Sequence, residues 1–168
     1  MASNRHLGRI VALQTLYEYE FRVQSEDPSV DIDEILTRNL ERYSSAIDDK
    51  AFVDALVKGV LEVRDDLDAK IQPIAPDWPI DQIARIDRNI LRIGLYELLH
   101  QADTVPPKVV INEAVELAKA FGAENSSKFI NGVLGTALKN IEGDATLADT
   151  PTTKEEIVKK PRAKKAVK

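Results

Sequence analysis

The sequence contains no cysteine, which excludes disulfide bonds, thiolate metal sites and cysteine nucleophiles together. It also lacks any run of about 20 apolar residues, the length that a helix needs to cross a bilayer. The first residues, MASNRHLGR, are polar and have no apolar core of the kind found in secretory signals. These absences predict a cytoplasmic protein with no membrane segment.

Patterns typical of enzymes are missing as well. The sequence has no glycine-rich phosphate loop and no GxSxG element, and its two histidines, His6 and His100, do not have HExxH spacing. Carboxylates are numerous, but no pair stands out as an acid–base couple. We therefore expect a protein that is not an enzyme and that uses neither a metal nor a cofactor.

The net charge of -5 is unevenly distributed along the chain. Residues 1–14 carry two arginines and no acid, residues 144–168 carry seven basic and four acidic residues, and the segment between them is strongly acidic. Salt screens charges beyond about 10 Å, so phosphate contacts depend on local rather than net charge. A basic leading segment on an acidic body therefore permits local nucleic-acid binding.

Apolar residues recur at spacings of three and four through most of the chain, and no period-two alternation typical of strands is present. This pattern predicts an all-α fold. Six helices are predicted. The apolar stripe of the first runs from Leu7 to Phe21, the second runs from an Asp31 cap to about Tyr43, and the third begins at an Asp48 or Asp49 cap and fades before Pro73. The fourth runs from Ile83 to Leu98, the fifth from Pro106 to a left-handed Gly122, and the sixth from Asn125 or Ser126 to Gly143.

Two segments stand apart from these helices. Pro73–Pro79 holds three prolines and is predicted to join two helical halves, with Trp78 as a hydrophobic plug. Residues 144–168 are poor in large apolar residues and rich in lysine, which predicts a disordered tail after a domain of residues 1–143. Such a tail either increases solubility or adds non-specific affinity for nucleic acid.

Three blocks, RHLGRIVALQTLYEYEF at 5–21, DQIARIDRNILRIGLYELL at 81–99 and VPPKVVINEAVELAKAFGAENSSKFINGVLG at 105–135, resemble the NusB family of transcription antitermination proteins and occur in that family's order. The resemblance implies a compact bundle of about seven helices in two subdomains. It also implies binding of the boxA sequence in nascent ribosomal transcripts together with the small-subunit ribosomal protein NusE. The pair acts within the RNA polymerase antitermination complex and promotes readthrough of terminators.

The first helix carries five of the residues for which the resemblance implies RNA binding. Arg5 and Arg9 are four residues apart, so they share a side of a helix whose N-terminus itself attracts anions, and His6, three residues before Arg9, can join them. His6 and Gly8 stand where the family commonly has arginine and alanine, which lowers the local charge and weakens the helix. Gln14 can contact a base edge and Tyr17 can stack on a base. The alternatives are a solvated helix start and core packing of Tyr17.

The start of the last helix supplies three further RNA-binding residues by resemblance. Phe129 is either a core residue beside Ile130 or an exposed stacking platform, and Lys128 can contact a phosphate. Asn125 lies where relatives often carry aspartate, and an amide can donate to phosphate where a carboxylate repels it. The simpler interpretation of Asn125 is a helix cap.

Asp87 and Tyr96 on the fourth helix are assigned by resemblance to the surface for the ribosomal-protein partner. Neighbouring Arg88 and Arg92 do not satisfy each other along the helix and are left for that partner or for the other subdomain. Two other functions stay open. One is a helical protein-interaction or oligomerisation module with weak RNA affinity, including a homodimer; the other is the NusB-like domain of ribosomal-RNA methyltransferases, for which the chain is short.

Overall fold

The computed structural model describes residues 2–75 and 77–143. The predicted tail at 144–168 lies outside these ranges. Within them the chain forms only helices and turns, which confirms the predicted all-α fold. The α-helices are α1 (Ala2–Gln24), α2 (Ile32–Arg42), α3 (Lys50–Glu62), α4 (Arg64–Ile71), α5 (Arg85–His100), α6 (Pro107–Phe121) and α7 (Ser126–Gly143), with short 3₁₀ turns at Gln72–Ile74 and Ile80–Gln82.

These helices belong to two compact units, the first ending at Glu62 and the second beginning at Val63. Two units were predicted, but the predicted joint at Pro73–Pro79 was wrong. A single non-helical residue, Val63, separates α3 from α4. Val63 is neither proline nor glycine, so the sequence pattern runs on through the break without a signal.

In the first unit α1 packs against both α2 and α3. Asp31 begins α2 by accepting a hydrogen bond from the Asp33 backbone N–H, and Asp49 begins α3 by accepting one from Phe52 N–H at 3.0 Å. The capping predictions are thereby confirmed, with Asp49 rather than Asp48 before α3. The core consists of apolar side chains whose burial stabilises the unit by about 1.5–3 kcal/mol each: Val11, Leu13, Leu16, Ile35, Val53, Leu56 and Val57.

In the second unit α5 packs against α4, α6 and α7. Its apolar residues are buried on several sides, which is typical of a helix at the centre of a bundle. Gly94 lets α7 approach closely, because a Cβ atom there would lie 2.6 Å from Leu134 Cδ1. This close approach fixes the position of α7, which carries Lys128 and Phe129 and directly follows Asn125.

The buried charges of α5 are used inside the second unit. Arg92 donates two hydrogen bonds of 2.8 Å to the Asp68 carboxylate on α4. Arg88 Nη1 donates to the backbone carbonyl of Ile83 at 2.7 Å, and both arginine side chains are buried. Both arginines therefore have partners inside the second unit. Asp68 precedes the joint predicted at Pro73–Pro79, so the pairing of Arg92 agrees with its assignment to the other predicted half.

Gly122 ends α6 in an extended conformation, with φ -91° and ψ -173°, and not in the predicted left-handed one. Glycine is needed there for space, because a Cβ atom would lie 2.6 Å from both Cβ and Oγ of Ser126. None of the helices in the described ranges is long and apolar enough to cross a membrane.

Candidate nucleic-acid interface

The predicted cations of α1 face α3. The guanidinium carbon of Arg5 lies 4.4 Å from the centre of the Phe52 ring, and that of Arg9 lies 5.2 Å from it. Arg5 Nη2 also forms an ion pair of 3.3 Å with Asp49 Oδ2. The Arg5 side chain keeps 37% of its surface exposed, whereas Arg9 keeps only 3%. Arg5 is thus available to an incoming phosphate, while Arg9 contributes to packing on Phe52.

Sequence reasoning missed both partners of these arginines. Asp49 was identified only as a possible helix cap, and Phe52 was assigned no role in the interface. No spacing rule connects residue 5 with residues 49 and 52, because their proximity depends on how α1 packs on α3. The capping aspartate was a partial signal for an ion pair, because a cap uses only one carboxylate oxygen. In the structure Oδ1 of Asp49 accepts the capping hydrogen bond and Oδ2 accepts from Arg5.

The remaining predicted residues of α1 are half-exposed. His6, Gln14 and Tyr17 all retain intermediate exposure, and Tyr17 lies three residues after Gln14 on the same side of the helix. Phe21 continues this side one turn beyond Tyr17 and is 50% exposed, so its expected place in the buried apolar stripe was wrong. This side therefore combines an amide with two aromatic rings, a composition suited to contacts with unstacked bases.

In the second unit the predicted residues lie at the start of α7. Asn125 and Lys128 are exposed, and Phe129 is half-buried. The Asn125 carbonyl accepts a hydrogen bond from Phe129 N–H at 3.1 Å, so the backbone of Asn125 takes part in the first turn. The structure thus brings Asn125, Lys128 and Phe129 together on one turn, with a donor, a cation and an aromatic ring.

Asp87 lies beside this turn. Its Oδ2 accepts a hydrogen bond of 3.0 Å from Ser126 Oγ, which in turn accepts one of 2.8 Å from Ala123 N–H. The second oxygen, Oδ1, is buried and has no hydrogen-bond partner. Burial raises the pKa of the Asp87 carboxyl above its usual value, and the hydrogen bond from Ser126 opposes this only in part.

Tyr96 lies far from Asp87 around α5. The two are nine residues apart, which at about 100° per residue puts them on opposite sides of the helix. The Tyr96 ring is half-buried and lies 4.9 Å from the His100 ring, centre to centre. The structure therefore does not combine the two predicted partner-binding residues in one patch.

Trp78 is 58% exposed, so its prediction as a hydrophobic plug was wrong. Its indole lines two adjacent shallow cavities of about 270 and 290 Å³, and Phe129 lines both of them too. In the described ranges no group of three or more His, Asp or Glu side chains is placed to hold a metal ion. Two aromatic rings therefore line neighbouring concave surfaces of the second unit.

Comparison with known proteins identifies the family of the chain. The model of the NusB family matches residues 6–139. The transcription antitermination protein NusB of Chloroflexus aggregans is 46% identical over 82% of this chain and 89% of its own length. Among solved structures, T. maritima NusB matches with a TM-score of 0.71 and 32% identity over 80% of this chain and 90% of its own. The antitermination factors NusB and NusE in complex with double-stranded RNA match with a TM-score of 0.70 and 26% identity, over 83% of this chain and 98% of the matched one. Because the family model spans most of the sequence and the relative is similar over nearly its whole length, this chain belongs to the NusB family.

Proposed function

We propose that this protein is a transcription antitermination factor that binds boxA RNA of nascent ribosomal transcripts together with the ribosomal protein NusE, and that it thereby promotes readthrough by RNA polymerase. One observation carries the proposal: the chain matches, over 83% of its length, a protein solved with NusE and RNA. The relatives that match it over most of their length are named as antitermination proteins.

The first unit supports this function through α1. Arg5 supplies an exposed cation, and Gln14 supplies an amide that can bond a base edge. Tyr17 supplies a half-exposed ring for stacking, and His6 lies on the same side of the helix. Arg9 is buried, so we assign it to packing on the Phe52 ring, on which Arg5 also packs, and not to a contact with RNA.

The second unit supports it through the first turn of α7. Lys128 places a cation beside the Phe129 ring, and Asn125 offers an uncharged donor one turn earlier. A base stacked on an aromatic ring gains about 1–3 kcal/mol whatever its sequence. Asp87 and Tyr96 remain proposed as contacts for NusE, each on its own side of α5.

The test is a titration of labelled RNA with and without NusE, using boxA RNA, a scrambled single strand of equal composition and a duplex. We expect preference for single-stranded boxA and tighter binding when NusE is present. Lys128→Ala should weaken binding several-fold, whereas Lys139→Ala, an exposed lysine on the same helix, should not. Equal affinity for boxA and scrambled RNA in both settings would falsify the proposal.

A second candidate function is a protein-interaction or oligomerisation module with weak RNA affinity. It is favoured by the engagement of Arg5 with Asp49 and by the burial of Arg9, which together leave α1 with little free positive charge. This module would bind NusE, or form a homodimer, without any gain in affinity from RNA. Sedimentation velocity with NusE, repeated with added boxA RNA, separates the two functions.

A further inference from the structure

The single tryptophan of the chain is held in an exposed position in the second unit. Burying an indole is favourable, so an indole that is 58% exposed calls for a structural cause. Trp78 stands in the segment between the two 3₁₀ turns, directly before Pro79. Pro79 is extended, with ψ 145°, and directs the chain from Trp78 into the second turn.

Two buried or part-buried side chains fix this segment. Gln72 Nε2 donates to the Trp78 carbonyl at 2.8 Å, and Gln72 Oε1 accepts from Ile80 N–H at 2.7 Å. Arg88 Nη1 donates to the carbonyl of Ile83 at 2.7 Å and lies 3.3 Å from that of Asp81. These hydrogen bonds hold the backbone on both sides of Pro79, and with it the backbone position from which the Trp78 side chain projects.

The cavities beside Trp78 have the dimensions of a site for a single ring system. Each has a volume of about 270 to 290 Å³, just below the range of clefts that enclose drug-sized ligands, about 300–1,000 Å³. Trp78 and Phe129 line both cavities. In the described part of the chain neither ring stacks on another aromatic ring, so no other ring covers the face of Trp78 or of Phe129.

The polar groups around the cavities favour a nucleobase over a purely apolar ligand. Lys128 lines the second cavity and provides a cation for a phosphate at its rim. Asp77 and Asp87 line the cavities themselves and would repel a phosphate placed inside.

We propose that Trp78 and Phe129 form a stacking subsite for one unpaired nucleobase, whose adjacent phosphate lies on Lys128. The inference rests on the proposed function and adds to it: the RNA-binding surface of the second unit extends beyond α7 to the segment that carries Trp78. Stacking gives the subsite tolerance for the identity of the base.

Blocking the subsite tests it without removing either ring. Gly132 lines the second cavity, and a Cβ atom there would meet nothing within 4 Å, so the leucine of Gly132→Leu has room to grow into the cavity. Gly135→Leu is the matched control, since Gly135 is on the same helix, has equally open space and lines neither cavity. Both changes replace a helical glycine, so neither should unfold the protein.

We expect Gly132→Leu and Trp78→Ala to weaken binding of labelled boxA RNA by about 5- to 150-fold, the equivalent of one stacked base. Gly135→Leu should leave the affinity unchanged, and Trp78→Phe should recover part of the loss. Replacing the stacked nucleotide by an abasic one should weaken the wild-type complex, with no further loss in Trp78→Ala.

Because Trp78 is the only tryptophan, intrinsic fluorescence reports on the subsite directly. We expect boxA RNA to quench this emission in the full-length protein, and Gly132→Leu to abolish the quenching. If RNA binds with Lys128-dependent affinity but leaves emission and the Trp78→Ala affinity unchanged, the subsite is wrong and the proposed function stands. If NusE alone quenches the emission and RNA does not, the groove is a protein-binding site. If boxA RNA does not bind at all, both proposals fail.

Discussion

At the scale of single residues, Arg5 combines contacts inside the first unit with a proposed role in binding phosphate. Its guanidinium packs over Phe52 and pairs with Asp49, yet more than a third of the side chain stays exposed. An exposed ion pair of this kind contributes only about 0–1 kcal/mol to stability. A phosphate can therefore displace Asp49 at small cost, but the carboxylate still competes with the RNA.

Asp49→Asn should release Arg5 and strengthen RNA binding. Asparagine caps a helix as well as aspartate does, so the hydrogen bond to Phe52 N–H can persist while the competing charge is lost. We expect boxA affinity to rise about two- to five-fold at low salt, in line with an exposed pair of under 1 kcal/mol. Asp54→Asn, an exposed aspartate on the same helix, is the control. Unchanged affinity in Asp49→Asn, together with weaker binding in Arg5→Ala, would contradict the competition.

Asn125→Asp should act in the opposite direction. The residue is exposed at the start of α7, where a carboxylate would repel a phosphate bound near Lys128. We expect several-fold weaker RNA binding at low salt, a smaller effect at high salt because the charges are screened, and an unchanged melting temperature. Asn131→Asp, exposed on the same helix, serves as the control. Equal affinities for both versions at every salt concentration would sink this prediction.

Single residues were predictable where their role is local. Asp31 and Asp49 cap helices because that role depends on neighbours in sequence. The burial of Arg9 was not predictable because it depends on Phe52, far along the chain. The exposure of Trp78 was not predictable because no spacing rule shows that the side chains of Gln72 and Arg88 bond the backbone of its segment. Phe129, left open between core and platform, is half-buried and lines a cavity.

At the scale of helices, Gly8 lies where α1 packs tightly on α3. A Cβ atom at this position would lie 3.0 Å from Val53 Cγ2, and Val53 is fully buried. A glycine inside a helix costs about 1 kcal/mol relative to alanine, which the sequence alone suggested as pure loss. The structure explains the glycine by packing, because the stiff β-branched side chain of Val53 has little freedom to move aside.

Gly8→Ala and Val53→Ala should therefore be coupled. In the wild-type protein the clash with Val53 should offset the gain in helix propensity, whereas in Val53→Ala the added methyl group has space and the gain is recovered. We expect a coupling free energy of at least about 0.5 kcal/mol in a double-mutant cycle measured by urea unfolding. Additive effects would show that α1 and α3 adjust freely around residue 8.

The end of α1 carries strain that a substitution can relieve. Asp27 N–H bonds to Arg22 O and Glu26 N–H to Val23 O, the pattern of a Schellman motif with Glu26 in its left-handed position at φ 59°. Side chains other than glycine pay about 1–2 kcal/mol for this conformation.

Glu26→Gly should accordingly stabilise the protein by up to about 1 kcal/mol, after the extra freedom of glycine in the unfolded chain is deducted. Chemical unfolding measures the gain. Glu116→Gly, in the exposed interior of α6, should instead cost about 1 kcal/mol. A loss of stability in Glu26→Gly would mean that the side chain of Glu26 contributes more than its backbone costs.

Helices were the most predictable part of this protein. Their apolar periodicity and caps placed α1, α2, α5, α6 and α7 close to their observed bounds. The division of the third predicted helix into α3 and α4 was not predictable, because the break falls at Val63 and neither proline nor glycine stands there. The predicted left-handed conformation of Gly122 was likewise wrong. Glycine is required there because a Cβ atom would clash with Ser126, and not because of its backbone conformation.

At the scale of the whole molecule, charge decides how RNA binding responds to salt. The chain carries 28 acidic and 23 basic residues, so long-range repulsion opposes RNA before any contact forms. Release of counterions lowers the logarithm of affinity by about 0.7 per phosphate contact for each unit of log salt on single strands. Arg5 and Lys128 are the two proposed phosphate contacts, because Arg9 is buried.

We therefore expect a shallow slope of about -1.4 for boxA binding between low and moderate salt. Arg5→Ala and Lys128→Ala should each bring the slope closer to zero by about 0.7, and the double variant should bind almost independently of salt. Phe129→Ala should lower affinity and leave the slope unchanged, since stacking releases no counterions. A slope steeper than about -2.8 would require at least four phosphate contacts. That result would assign binding to basic residues beyond these two, with residues 144–168, which hold seven of them, as the first segment to test.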